Sequence, residues 1–247
     1  MILAVCGKGG VGKTTVSAVG ARALASRGVR SLVVDADPAG GLAMALDIEP
    51  KKTLNDIRKE LIAEIKAGQR DERDLAVSVD YLVAEALTEK GGIAFLAIGR
   101  PEDVGCYCKV NVILKDAIEG LGSMFDAVLI DAEAGIEQVN RKVMGSVDYV
   151  LLVSDTSAKA VRVAETIKGV ADKMVAGEGA ALLVNRFRDE SEVERVRSET
   201  SLDVIGSVPE DDTVRTFDAG GTSFFDLPDC PASEAIDKAL TQAGLFA

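Results

Sequence analysis

Short, nearly unbroken apolar runs recur along the chain, and they restrict the fold more than any other feature. They are ILAVC (2–6), RSLVVDAD (30–37), IAFLAIG (93–99), DAVLIDA (126–132), DYVLLVS (148–154), AALLVN (180–185) and DVIGSV (203–208). Each is too short for a globular helix. None alternates polar with apolar residues as a half-exposed strand does, so these are strands buried on both faces. Amphipathic stretches separate them at 14–28, 53–67, 109–121, 157–176 and 189–199. Buried strands alternating with helices predict an α/β fold, a mostly parallel twisted sheet covered by helices on both faces. No linker, repeat or low-complexity tract divides the sequence, so one domain, 1–247, is expected. The segment 68–92 is polar and then ambiguous, and reads as an excursion from the main sheet.

Composition narrows the function. The chain has 247 residues, 47% of them apolar and 28% charged, enough for a sizeable core. No apolar run approaches the ~20 residues that span a bilayer. The opening MILAVCGKGG lacks the basic region and cleavage site of a secretory signal. Four cysteines are too few for a disulfide framework. A cytoplasmic protein with reduced thiols is expected. The net charge of −12 argues against nucleic acid and anionic membranes as partners.

The first apolar run leads into GKGGVGKTT, Gly7 to Thr15. Gly7-x-x-x-x-Gly12-Lys13-Thr14 has the spacing of a phosphate-binding loop. Between a strand and a helix, the glycines let backbone N–H groups turn inward, where the helix dipole already favours anions. Gly7, Lys8, Gly9, Gly10, Val11, Gly12, Lys13, Thr14 and Thr15 are therefore candidate nucleotide-binding residues. Lys13 would neutralise the β- and γ-phosphates, and the Thr14 hydroxyl would bind Mg²⁺. Magnesium needs further oxygen ligands. Asp131 closes one apolar run, and Asp35 and Asp37 close another; ligands in open α/β sheets gather at that edge. Asp37 and Asp131 join Thr14 as candidate magnesium residues, and Asp37 is also a candidate for orienting the attacking water. Asn185 ends a run in Asn-Arg-Phe-Arg, not in the Asn-Lys-x-Asp expected for guanine. Asn185 and Arg186 are thus candidates for contact with an adenine nucleotide, ATP.

Lys8 is a second lysine at the outer lip of the loop. The stretch Lys8 to Thr14 resembles the deviant Walker A ATPases, the Min/Par and nitrogenase-iron-protein superfamily of P-loop NTPases. VVDADP (33–38) is similar to their switch I, and Asp131 to Gly135 to their switch II. The resemblance implies an Mg²⁺-dependent ATPase that forms a face-to-face homodimer. Lys8 would cross to the partner's site as a catalytic group beside Lys13 and Asp37. AEAGIE after Asp131 departs from most Min/Par relatives.

Cys106 and Cys108 stand one residue apart in GCYCK. In an extended segment both thiols face one side, and two thiolates are half of a tetrahedral soft-metal site. With no histidine in the chain, a two-fold dimer would complete the set. A pair of small buried hydrophobes or a redox disulfide are the other readings. GCYC, with DAEAGIE in switch II, resembles the CooC-type ATPases that serve nickel insertion into carbon monoxide dehydrogenase. That resemblance implies metal held across the dimer by Cys106 and Cys108, with Glu133 or Glu137 near. Zinc, nickel and copper(I) all accept thiolates; Ni²⁺ or Zn²⁺ is the expected ion, and an apo-metalloenzyme the client. The alternatives are an iron–sulfur redox ATPase of the nitrogenase type and a Min/Par-type positioning ATPase.

Overall fold

The computed structural model describes residues 1–68, 75–100, 108–132, 147–172 and 179–246. The chain runs β1 (Ile2–Cys6), α1 (Lys13–Ser26), β2 (Ser31–Asp35), α2 (Gly41–Ala45), α3 (Leu54–Lys66) and α4 (Leu75–Ala86). It continues through β3 (Thr88–Lys90), β4 (Ile93–Ala97), α5 (Cys108–Gly122), β5 (Ala127–Asp131), β6 (Tyr149–Ser154) and α6 (Ala158–Ala171). It ends with β7 (Gly179–Phe187), α7 (Glu190–Glu199), β8 (Val204–Pro209), α8 (Asp212–Gly220), a 3₁₀ turn (Phe224–Asp226) and α9 (Pro231–Gln242).

The strands form one 8-stranded sheet in the order β3-β4-β2-β5-β1-β6-β7-β8. All described neighbours are parallel except β3, which runs antiparallel to β4. Every residue of β2, β4 and β5 is buried, which is why their sequences show no polar alternation. The period of two is still present, because alternate residues feed different cores. Ala4, Leu32, Leu96, Ile130 and Leu152 pack on one face with Ile57 and Leu61 of α3, Ile118 of α5 and Ile167 of α6. Leu3, Val33, Phe95, Leu129 and Leu151 pack on the other with Val16 and Leu24 of α1 and Ile236 and Leu240 of α9. Gly20 lets α1 approach closely: a Cβ there would lie 3.0 Å from both Leu129 and Leu240.

The α/β architecture follows the sequence expectation, and 68–92 refines it. Within that segment α4 packs on α5, with Val79, Val83 and Ala86 buried, and β3 extends the sheet instead of leaving it. Its 3 residues are too few to show a pattern. No described helix is long and apolar enough to cross a membrane.

Candidate functional site: a phosphate loop beside two buried carboxylates

β1 lies between β5 and β6. From it the chain crosses to β2 on one side, while β6, β7 and β8 build the other. This is the switch point of the sheet, where two connections diverge and leave a crevice at the strand ends. The glycine loop lies there, leading into α1 through Gly12 in the left-handed region (φ 95°). Gly7 can have no side chain, since a Cβ would meet the Val153 carbonyl at 2.2 Å. At Gly12 a Cβ would lie 2.3 Å from the Asn185 amide.

Lys13 is buried, and its ammonium donates to the Lys8 carbonyl at 3.3 Å. The charge is thus folded over the loop. Lys8 is half-exposed, and no hydrogen bond or ion pair holds its side chain among the described residues. Asn185 donates from Nδ2 to the Val11 carbonyl at 2.8 Å, and Arg186 from Nη1 to the Gly10 carbonyl at 3.2 Å. Arg186 adopts φ 59°, a backbone that a long side chain seldom takes. These two residues, expected from sequence to contact the nucleotide, both donate to carbonyls of the loop and so brace it.

The acids converge as their strand-end positions suggest. Asp35 and Asp131 are register partners at the ends of β2 and β5, and both are 1% exposed. Asp131 accepts from Thr14 Oγ1 at 2.9 Å and from Ser17 Oγ at 3.0 Å. Burial pushes its carboxyl up to about 7; the two hydroxyls oppose that shift and neighbouring Asp35 adds to it. Burial also raises Asp35 to about 6, against hydrogen bonds from the Ala43 and Asp37 amides. A hydroxyl and a buried carboxylate are hard oxygen donors of the kind magnesium takes, and a divalent cation would relieve the penalty that burial places on Asp131. Ser17 gave no signal in the sequence, because a serine inside an amphipathic helix reads as a neutral position.

Asp37 is half-exposed, and its Oδ1 accepts from Ala39 N–H at 2.8 Å. On the far side of the loop, Thr15, Asn185, Arg186, Pro209, Glu210 and Asp211 line part of a cavity of about 230 Å³. The sequence expectation omits the β8 exit, Pro209–Asp211. Its signal is the acidic VPEDD where an apolar run ends at the same sheet edge. Cys106, Glu133, Gly135 and Glu137 lie outside the described residues; Cys108 opens α5. Among the described residues no group of three or more metal-binding side chains is assembled. Cys6 is fully buried at the entry to the loop, and burial pushes its thiol up to about 12.

A strand, a glycine loop capping a helix, and an aspartate from a neighbouring strand against the first hydroxyl of that helix define a P-loop nucleotide-binding protein. The chain belongs to the CobQ/CobB/MinD/ParA nucleotide binding domain family, whose model matches residues 2–224, and it is an ATPase of the MinD/ParA superfamily. It is 36% identical to the uncharacterized ATP-binding protein MJ0685 of Methanocaldococcus jannaschii, covering 93% of this chain and 92% of that one. It is 29% identical to the carbon monoxide dehydrogenase accessory protein CooC of Rhodospirillum rubrum, over 93% and 92%. It is 30% identical to the septum site-determining protein MinD of Bacillus subtilis, over 86% and 77%. The MinD cell division protein of Aquifex aeolicus superposes with a TM-score of 0.68, covering 98% of this chain and 96% of that one at 24% identity.

Proposed function

We propose that this ATPase is a metal-delivery protein, which carries nickel or zinc as cargo between two copies of the chain for insertion into an apo-metalloenzyme. The observation that carries the reading is the Cys106-x-Cys108 pair in a chain similar along 93% of its length to CooC, a carbon monoxide dehydrogenase accessory protein. Carbon monoxide dehydrogenase is accordingly the proposed client. Each chain supplies two thiolates, and two chains supply the four that a tetrahedral soft ion takes.

In this account residues 1–247 act as one domain. The amides of Gly7 to Thr15 and the Lys13 ammonium hold the ATP phosphates, and Asn185 and Arg186, which brace the loop, also contact the adenine nucleotide. Thr14 and Asp131, with Asp37, hold magnesium, which when bound neutralises charge on the β- and γ-phosphates. Asp37 orients a water whose oxygen attacks the γ-phosphorus as the bond to the bridging oxygen breaks. Lys8 of the second chain offsets the charge left on that oxygen, in the manner of an arginine finger. Closure over ATP brings the cysteine pairs together, and hydrolysis parts them. Nucleotide and cargo then favour each other's binding by the same factor.

The test is metal content and oligomeric state with and without ATP, for the wild type and for Cys106→Ser/Cys108→Ser. The wild type should retain metal in an ATP-dependent dimer, and the double variant should lose the metal. Unchanged metal content in the variant would end the reading. A positioning ATPase is the second reading, favoured by 30% identity to B. subtilis MinD. Co-sedimentation with anionic liposomes in ATP would support it. Against it, Ile236, Ala239, Leu240, Ala243 and Leu245 near the C-terminus are buried in the core of this domain, so that apolar face is not free to enter a bilayer.

A further inference from the structure

Both carboxylate oxygens of Asp35 are taken by backbone donors of the segment that follows it. Oδ1 accepts from Asp37 N–H at 3.2 Å, and Oδ2 from Ala43 N–H at 3.0 Å. These bonds close residues 37–43 into a loop. Inside the loop, Gly40 N–H donates to the Asp37 carbonyl at 3.0 Å, fixing the turn that carries Asp37. At its start, Ala36 N–H donates to the Asp131 carbonyl at 2.9 Å. Near its end Gly41 lies against Thr14, where an added Cβ would be 3.6 Å from Oγ1. The loop is therefore tied to Asp131 at its start, crosses beside Thr14 at Gly41, and is tied to Asp35 on either side of that crossing.

The sheet itself does not need an acid at this position. Ala97 is the register partner of Asp35 at the end of β4, and it serves there as a small apolar residue. Nor does α2, only 5 residues long, warrant a buried carboxylate as a cap, since burying a charge is costly. We propose that Asp35 is a positioning residue for ATP hydrolysis: by holding the Asp37 and Ala43 amides it fixes the turn that carries Asp37 within the loop that crosses beside Thr14. The proposal rests on the reading of Asp37 as the water-orienting group.

Asp35→Asn tests it. The variant keeps the shape and one acceptor, but turns an NH₂ group toward a backbone N–H. MgATP affinity should stay within about threefold while kcat falls about 10- to 100-fold, the cost of a misplaced reacting group. In an Asp37→Ala background the same substitution should cost less than about twofold further, because its effect passes through Asp37. An equal fall in both backgrounds, or wild-type kcat in Asp35→Asn alone, would overturn the proposal. Wild-type turnover by Asp37→Ala alone would remove the role given to Asp37, and the proposal with it, and is told apart by that single variant. Should Asp35→Asn not fold, amide hydrogen exchange of the wild type decides: slow exchange at Asp37 and Ala43 supports the clamp, and unprotected amides refute it.

Discussion

Asp131 and Asp35 leave the sheet side by side, buried, and with no cation the protein bears the cost of ionising them. Their carboxyls lie at about 7 and about 6, while in the unfolded chain they would ionise near pH ~4. Between about pH 4 and pH 7 the unfolded state releases protons that the folded state keeps. Nucleotide-free stability therefore falls as pH rises through that window and levels off above it. Asp131→Asn removes the larger contribution. Its melting temperature, relative to wild type, should climb from near zero difference at about pH 4 to at least ~3 °C higher at pH ~8. A difference that does not vary with pH would contradict the assignment. Lys8 belongs to the same scale. Lys8→Ala should lower turnover at least ~100-fold while leaving ATP affinity within ~3-fold; wild-type turnover would remove its action in trans.

Among the elements, α9 makes the clearest prediction. Leu240 is fully buried against α1 in the core that also contains Leu129. Leu240→Ala should cost about 2–5 kcal/mol in urea unfolding. A cost under ~1 kcal/mol would mean that the helix is a detachable tail. The apolar strand runs were legible in the sequence because burial on both faces leaves no room for polar residues. The phosphate loop was legible because its spacing is set by phosphate geometry. The elements that escaped are those without such constraints. α2 and β3 are too short to carry a period, and α8 buries none of its residues: its apolar side is only Val214 and Phe217, packed partway against the core, too few to mark a helix in the sequence. The use of Asn185 and Arg186 as struts for the loop was hidden as well, because a hydrogen bond to a carbonyl 174 residues away leaves no local trace.

At the level of the whole molecule, the proposed chemistry is incomplete in one copy. The Lys8 side chain has no partner of its own among the described residues, and two thiols cannot fill a tetrahedral ion. Turnover per chain should therefore rise steeply with protein concentration before it levels off, and a rate per chain independent of concentration would contradict a shared site. The most direct measurement is sedimentation at saturating MgATP, with the metal quantified across the moving boundary. Wild type should sediment as a dimer carrying one ion per pair of chains, and Cys106→Ser/Cys108→Ser should carry none. A monomer that keeps its full complement of metal under those conditions would contradict the account.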